Sequence, residues 1–393
     1  MMTSHKNYFK ALICIGLCMA TAMASINLLM SANNINKQGI MGRVNEAQAA
    51  LPKITAEPKD LVMFFGSSMT GAGFSPRQFD HALAKQGKEI TSFNFGFGGL
   101  NPYFQDLLSR RIAEQFIESD RRLKLTIIEF NPFQATKTRW NRALPNADAF
   151  ITMLASNNEL LDIAKNDITR GARLFNIKYI RNNVSAEMIT SFYANELFPP
   201  QRPQEFKDDE HTISERKRLE KLLNEHFEKD YPNYVDARWS YPWQGGGTIP
   251  EERSAQTLEL FNQYYDVLHT DARMKNFRLG RISSADIEEL NFEPLLIEHF
   301  IKLVRNFQTI SDNVEVVMLP KNSKWIHDTP AAKKRLAKAI NQIEKTTGVT
   351  IKDHQDITEI TPDMFSDATH LSRYRGGVAY TKFLIQEFSK LLQ

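Results

Sequence analysis

Short apolar segments alternate with helical patterns along this chain, and that alternation constrains its fold more than any other feature. Five segments are short, apolar and rich in β-branched or aromatic residues, as buried parallel strands are. They are Leu61–Phe65, Ile90–Phe95, Leu123–Phe130, Val314–Leu319 and Val349–Lys352. Helical patterns separate several of these segments. The sequence therefore predicts an α/β domain with a sheet of about five parallel strands.

Capping residues and apolar periodicity locate the predicted helices. Ser75 stands before Pro76, with Gln78 three residues further on, and this pattern is typical of a helix start. That helix is expected to run to about Lys85. Other helices are predicted for Pro102 to about Glu118, Pro330 to Lys345 and about Ser372 to Leu392, and a capping box at Thr212-Ile213-Ser214-Glu215 predicts the start of one more.

The 393 residues exceed the length of one such domain. Roughly 180 residues separate the third predicted strand from the fourth, far too many for one crossover connection. We therefore expect a mainly helical insertion at 140–295, nested within a core formed by 59–139 and 296–393. Residues 31–58 are polar with scattered alanines, and we interpret them as a linker.

The amino-terminal segment 1–30 contains the longest apolar stretch of the chain. Ala11–Met30 carries no charge, while Lys6 and Lys10 precede it. About 20 residues in a helix can cross a ~30 Å hydrocarbon layer, and basic residues on the amino-terminal flank favour a cytoplasmic amino terminus. This pattern predicts a membrane anchor with the body outside the cytoplasm. Ala22-Met23-Ala24 leaves open a cleaved signal peptide and a secreted protein.

Cysteine content and charge exclude several function classes. Cys14 and Cys18 are the only cysteines, so the body of the chain has no disulfide, thiolate metal site or cysteine nucleophile. The 49 basic and 46 acidic residues give a formal net charge of +3, which does not support a nucleic-acid-binding surface.

Polar residues follow the predicted strands at the edge where doubly wound sheets bind ligands. Gly66-Ser67-Ser68 follows the first strand, Asn94–Asn101 ends the second, and Glu129-Phe130-Asn131 ends the third. Ser68 is a candidate nucleophile or a turn serine. The glycines at 96, 98 and 99 allow close backbone approach to a ligand or form a flexible turn, and Asn131 is a candidate oxyanion donor or a residue that ends the strand.

Asp367 and His370 stand before the last predicted helix. Imidazole suits removal of a serine proton near neutral pH, and a carboxylate three residues earlier can orient it. Two established motifs are absent. The α/β-hydrolase elbow G-x-S-x-G lacks its second glycine, and the dinucleotide fingerprint G-x-G-x-x-G is broken by Asn101.

Together these blocks resemble the SGNH (GDSL-type) hydrolase family over about 60–135 and 312–393. The resemblance implies a flavodoxin-like three-layer sandwich with Ser68 as nucleophile, His370 as base and Asp367 as orienting acid. It also implies an oxyanion hole formed by the Ser68 N–H, Gly99 and Asn131. Two features depart from the family pattern: Ser67 stands where Asp is usual, and the third block lacks G-x-N-D.

An anchored SGNH-like domain is similar to the envelope proteins of D-alanine transfer and alginate acetylation. The resemblance implies extracytoplasmic acyl transfer or ester hydrolysis on a cell-envelope polysaccharide, without a cofactor. It also implies a membrane-bound O-acyltransferase as a partner. The alternatives are a catalytically silent anchored module that binds polymer or scaffolds that acyltransferase, and a secreted lipid esterase.

Weaker signals concern substrate binding and metals. Trp239 and Trp243 are candidates for stacking on sugar rings or for packing the insertion. Arg373, beside the Asp-x-x-His block, is a candidate contact for an anionic polymer. Asp353-His354-Gln355-Asp356 contains metal-type ligands, but no matching cluster stands elsewhere in the sequence, so we expect no metal site.

Overall fold

A computed structural model describes residues 2–37, 39–190, 209–230, 254–268, 289–372 and 375–392. The chain forms two compact units, Met1–Asn45 with Arg142–Pro200 and Glu46–Asn141 with Gln201–Gln393. Residues 142–200 of the expected insertion therefore group with the amino-terminal residues, and the part of the expected insertion from 201 onward groups with the sheet.

The sheet confirms the α/β prediction. Its strands are β1 (Asp60–Ser67), β2 (Ile90–Phe97), β3 (Leu123–Glu129), β4 (Ser311–Met318) and β5 (Ile351–Asp353). All neighbouring pairs are parallel, in the order β2-β1-β3-β4-β5. Every residue of β2 and all but the first of β1 are buried. Because successive side chains point to opposite faces, both faces of the sheet are covered.

The helices, in chain order, have the following bounds. They are α1 (Met2–Ala32), α2 (Gly39–Thr55), α3 (Ser68–Gly73), α4 (Pro76–Ala84), α5 (Pro102–Glu118), α6 (Lys137–Leu154), α7 (Asn157–Asn166), α8 (Ile168–Phe175), α9 (Glu210–Asp230), α10 (Ala255–Leu268), α11 (Pro294–Ile310), α12 (Pro330–Thr347) and α13 (Gly376–Phe388). Around the sheet they pack in two groups, one of α5, α11 and α12 and the other of α3, α4 and α13.

Local capping signals place several helix ends where the sequence predicts them. The Ser75 side chain accepts a hydrogen bond from the Gln78 N–H at the start of α4. Asn101 caps α5 in the same way through Tyr103 and Phe104. These side chains satisfy backbone donors that the first turn of a helix leaves unpaired, so a sequence pattern suffices to locate them.

The expected linker at 31–58 instead contains the 17-residue helix α2. Val44, Ala47, Leu51 and Ile54 are buried, and their spacing of three and four residues places them on one face. The scattered alanines interpreted as linker composition are the strongest helix formers. Ala47 and Ala50 are fully buried on this face, and because alanine is small, the sequence gives little sign of that burial.

Two helix starts differ from prediction. Helix α9 begins at Glu210 rather than after Thr212, because the Asp209 side chain accepts the Thr212 N–H at 2.7 Å and so caps an earlier turn. The last helix, α13, begins at Gly376 rather than near Ser372. Ser372 bonds back to the carbonyl of Met364 through its N–H and hydroxyl, which holds it in a loop.

In the unit of Met1–Asn45 with Arg142–Pro200, the amino-terminal residues form the long helix α1. Among the described residues, one helical segment is long and apolar enough to cross a membrane, the 25 residues Tyr8–Ala32. Its side chains are largely exposed to solvent. Such a segment is compatible with a membrane anchor or a signal sequence.

Candidate active site

The carboxyl ends of the parallel strands bring the predicted catalytic residues to one edge of the sheet. Strand β1 ends at Ser67, and Ser68 begins α3. The loop that carries Asp367 and His370 lies between β5 and α13. The isolated antiparallel bridge between Phe365 and Leu371 closes this loop, and the Ser366 N–H donates to the His370 carbonyl at 2.7 Å.

Ser68, His370 and Asp367 form one hydrogen-bonded chain. Ser68 Oγ lies 2.6 Å from His370 Nε2. The other ring nitrogen, His370 Nδ1, lies 2.9 Å from Asp367 Oδ1 and 2.8 Å from Oδ2. Because an ionised carboxylate only accepts, Nδ1 carries the proton, and Nε2 is left to accept from the serine hydroxyl. This is the arrangement in which a base activates a serine nucleophile.

The Asp367 carboxylate is held in its charged form by its surroundings. Burial by itself raises the pKa, but hydrogen bonds and the charge of His370 outweigh that effect and lower the pKa from 3.8 to about 2. The backbone N–H groups of Thr369 and His370 donate to Oδ1 at 2.8 and 2.7 Å. Asp367 is therefore a fixed acceptor that orients the imidazole across the neutral pH range.

A pH-dependent stability follows from this carboxylate. A lowered pKa stabilises the fold above the unfolded value near 3.8, and that stabilisation is lost as the pH falls towards 2. We expect Asp367→Asn to lower the free energy of unfolding at pH 7 by roughly 2 kcal/mol, with the difference vanishing near pH 2. Urea unfolding between pH 7 and pH 2 measures it. The exposed Asp356→Asn is the control, and equal pH profiles for the two variants would contradict the assignment.

Buried Glu129 supports the segment that carries Ser68, a role that the sequence did not reveal. The Ser67 N–H and the Thr70 N–H donate to Glu129 Oε2 at 2.7 and 3.1 Å. The Ser67 hydroxyl donates to Oε1 at 2.6 Å and the Thr70 hydroxyl to Oε2 at 2.5 Å. The signal was a carboxylate at the end of an apolar strand, because a buried acidic residue is rare unless it is paired.

Gly66 leaves the space that this carboxylate occupies. A Cβ at this position would lie 2.3 Å from Thr70 Oγ1 and 2.4 Å from Glu129 Oε2. Ser67, which stands where the resembling family has Asp, points its hydroxyl at Glu129. A hydroxyl donor beside a carboxylate is compatible, whereas Asp at 67 would place two carboxylates together.

Asn94 fixes α3 against β2. Its Nδ2 donates to the carbonyls of Thr70 and Phe74 at 3.1 and 2.8 Å, and its Oδ1 accepts the Gly96 N–H at 3.0 Å. Gly96 lies so close to α3 that an added Cβ would be 2.2 Å from the Gly71 nitrogen. The two glycines and the asparagine thus position the helix that begins with Ser68.

The second strand ends in a glycine turn beside the candidate nucleophile. Gly99 has a φ of +83°, and a Cβ on Gly98 would lie 3.5 Å from Ser68 Cβ. Apart from its two chain neighbours, no heavy atom of the described residues lies within 4 Å of an ideal Cβ on Gly99, so the turn is open on that side. Ser68 is the first residue of α3, and its N–H is among those that a helix leaves unpaired internally.

Asn131 lies at the same edge but contacts Ser67. Its Nδ2 donates to Ser67 Oγ at 3.0 Å and to Met69 Sδ at 3.3 Å, and its Oδ1 accepts the Phe133 N–H. Both amide hydrogens are therefore engaged. The expected oxyanion contact from Asn131 requires the amide to give up one of these partners.

Asn322 holds the Asp-x-x-His loop, and sequence reasoning did not identify it. It follows β4, is 1% exposed, and donates its N–H to the Ala368 carbonyl at 3.1 Å. Its Nδ2 donates to the Pro362 carbonyl at 3.2 Å. A polar residue just after a buried strand was the available signal, although many such residues have no role of this kind.

The remaining candidates fall into two groups, one outside the described residues and one in the core. Trp239, Trp243 and Arg373 lie outside the described residues. His354 is buried in the core beside α13. Its Nδ1 lies 2.8 Å from Tyr380 Oη, and its Nε2 lies 3.0 Å from Glu387 Oε2. In the described part of the chain, no group of three or more His, Cys, Asp or Glu residues has the arrangement of a metal site.

Comparison with known proteins adds no assignment to this geometry. No model of a protein family matches the chain, and no curated protein matches it either.

Proposed function

We propose that this chain is a serine-dependent acyl-ester enzyme of the SGNH type. The observation that carries the proposal is the Ser68–His370–Asp367 chain of hydrogen bonds, with Ser68 Oγ 2.6 Å from His370 Nε2. The parallel sheet in the order β2-β1-β3-β4-β5, which is the flavodoxin-like order, supports the SGNH fold with an insertion after β3.

In the first half-reaction, His370 Nε2 takes the Ser68 hydroxyl proton while Ser68 Oγ bonds to the acyl carbonyl carbon. The negative charge that develops on the carbonyl oxygen is stabilised by the N–H groups of Ser68 and Gly99. When the intermediate collapses, the ester C–O bond breaks and His370 returns the proton to the departing alcohol. The acyl group is then on Ser68.

In the second half-reaction, a hydroxyl replaces the acyl group on Ser68. His370 removes the proton of the incoming hydroxyl, whose oxygen attacks the acyl-enzyme. The intermediate then expels Ser68 Oγ, which takes the proton back from His370. Water as the acceptor gives ester hydrolysis, and a sugar hydroxyl gives O-acyl transfer. Neither half-reaction needs a metal or an organic cofactor, because proton transfer and oxyanion stabilisation come from the chain itself.

The proposed location rests on the amino-terminal helix, and the proposed substrate class rests on the resemblance to the anchored envelope proteins of the SGNH type. One membrane-length apolar segment, preceded by Lys6 and Lys10, supports an anchor with the catalytic unit outside the cytoplasm. A cysteine-free body suits that compartment. The proposed substrate is an acylated cell-envelope polysaccharide, and the proposed partner is a membrane-bound O-acyltransferase that supplies or receives the acyl group.

A fluorophosphonate probe tests the nucleophile directly. We expect one probe adduct per chain on Ser68, detected by intact mass and peptide mapping, because the activated hydroxyl attacks phosphorus as it attacks a carbonyl carbon. Ser68→Ala removes the adduct, whereas Ser67→Ala in the same loop retains it. A folded wild-type chain that forms no adduct would overturn the proposal in favour of a silent anchored module.

A further inference from the structure

Helix α8 and the turn that follows it carry an exposed apolar stripe. Ile168, Phe175 and Tyr179 are 82%, 55% and 49% exposed, and Ala172 between them is exposed as well. Their spacing of four, three and four residues places them on one side of the helix. The Phe175 and Tyr179 rings are in contact, with centroids 4.9 Å apart. Single exposed apolar residues are ordinary, whereas a stripe over three helical turns marks an interaction surface.

One face of α8 is buried, and its polar side carries an ion-pair network. Gly171 and Leu174 are buried, and Gly171 lies so close to α7 that a Cβ would be 2.3 Å from Ala164 Cβ. On the polar side, Arg173 and Arg170 lie 2.6 and 3.5 Å from the Asp148 carboxylate. Among the described residues of this unit, the apolar stripe is therefore the apolar face of α8 without a covering element.

The stripe ends against the membrane-length helix α1. Asn27 Nδ2 donates to the Tyr179 carbonyl at 3.2 Å, and Asn182 Nδ2 donates to Ser31 Oγ at 3.0 Å. Met30 is buried together with Val184 in a shared apolar cluster. The apolar stretch Ala11–Met30 is about 30 Å long as a helix, which matches the hydrocarbon layer. Asn27 and Ser31 therefore lie at the level where α1 leaves that layer.

The residues around the stripe have the charge of a membrane-contacting segment. Four cations (Arg170, Arg173, Lys178 and Arg181) and no anion occur in Ile168–Arg181, so the segment keeps an excess of positive charge although Asp148 pairs with Arg170 and Arg173 and Asp167 precedes it. Basic residues beside an apolar face favour contact with anionic lipid headgroups, and tyrosine is enriched at the boundary between headgroups and acyl chains.

We propose that α8 and the turn through Tyr179 form a second membrane contact, with Ile168, Ala172, Phe175 and Tyr179 facing the acyl chains of the leaflet that α1 exits. The proposal rests on the membrane assignment of α1 made with the proposed function. A lipid bilayer is the favoured occupant because the stripe adjoins α1 where that helix reaches the membrane surface. A second copy of the chain or a membrane protein would not require this position.

The test measures the depth of a probe on the full chain in liposomes of phosphatidylcholine and phosphatidylglycerol. Cys14 and Cys18 are first replaced by serine, and an environment-sensitive fluorophore is attached to Ala172→Cys. The matched control is Thr169→Cys, an exposed position on the polar side of the same helix. We expect doxyl-labelled lipids to quench the probe at 172 at least twofold more than the probe at 169.

A third probe at Leu17→Cys separates this inference from the anchor assignment. Lipid quenching at 17 with equal quenching at 172 and 169 overturns the second contact and leaves the anchor in place. A probe at 172 that is shielded from aqueous quencher but not quenched by lipid shows a protein partner and also overturns the inference. Absence of lipid quenching at 17 overturns both, while fluorophosphonate labelling of Ser68 still reports on the catalytic proposal.

Discussion

Ser68→Ala is expected to lower kcat for a small acetyl ester by a factor on the order of 10⁶, because it removes the attacking oxygen, which lies 2.6 Å from His370 Nε2. The fold should persist, because the hydrogen bond that the described residues give Ser68 Oγ is the one to His370 Nε2, and Ser68 is partly exposed. The measurement is kcat and KM for an aryl acetate together with the urea midpoint of unfolding.

Ser67→Ala is the matched control for that result. Both serines lie in the same loop, but the Ser67 hydroxyl faces Glu129 and Asn131 rather than His370. We expect Ser67→Ala to lower the unfolding free energy by about 1–3 kcal/mol, because it leaves Asn131 and Glu129 each without one partner. The reverse pattern, with the greater loss of turnover in Ser67→Ala, would contradict the assignment of Ser68.

Glu129→Ala is expected to have the largest effect on stability, about 3–5 kcal/mol in the free energy of unfolding. The substitution leaves two backbone N–H groups and two hydroxyls of the segment around Ser68 without their acceptor. It also creates a cavity beside Gly66. A loss of this size is a large part of the stability of a typical domain, so this variant tests folding more than turnover.

Glu129→Gln tests whether Glu129 positions Ser68 as well as stabilising the fold. Glutamine keeps the size of the side chain. Its NH₂ group, however, would face N–H and hydroxyl donors from which the carboxylate accepted hydrogen bonds. We expect kcat to fall about 10–100-fold with little change in KM, because a small displacement of the nucleophile affects the reacting geometry more than ground-state binding. Unchanged kcat in a destabilised variant would show a purely structural role.

A double-mutant cycle with Thr70→Val locates the source of that effect. Thr70 donates its hydroxyl and its N–H to Glu129, so the two residues are in direct contact. We expect the effects of Glu129→Gln and Thr70→Val on the activation free energy, obtained from kcat, to be coupled by about 0.5–3 kcal/mol. Additive effects would mean that the carboxylate acts on the loop through another residue.

The strands and most sheet-flanking helix starts were predictable because their signals are local. Apolar runs mark β1 to β4, and Ser75 and Pro102 mark the first turns of α4 and α5. The failures were also local in origin. At α9 two candidate capping residues, Asp209 and Thr212, lie close together in the sequence. Asp209 accepts the Thr212 N–H and caps the helix, whereas the predicted capping box would start the helix after Thr212.

Helix α2 shows a different limit. An alanine-rich polar segment has a high helix propensity and an unmarked apolar face, so its composition equally suits a linker or a packed helix. Burial of Val44 and Leu51 decides between them, and burial depends on what the rest of the chain provides.

The sequence by itself determined the chemistry that is present: a serine after the first strand, a histidine and an aspartate three residues apart before the last helix, and an apolar segment of membrane length. Only the tertiary structure decided that Ser68 and His370, 302 residues apart, lie within hydrogen-bond distance. It also decided that Glu129 supports the loop and that Asn131 contacts Ser67. Periodicity and capping act within a few residues, whereas these contacts depend on strand order and on which polar groups are buried together.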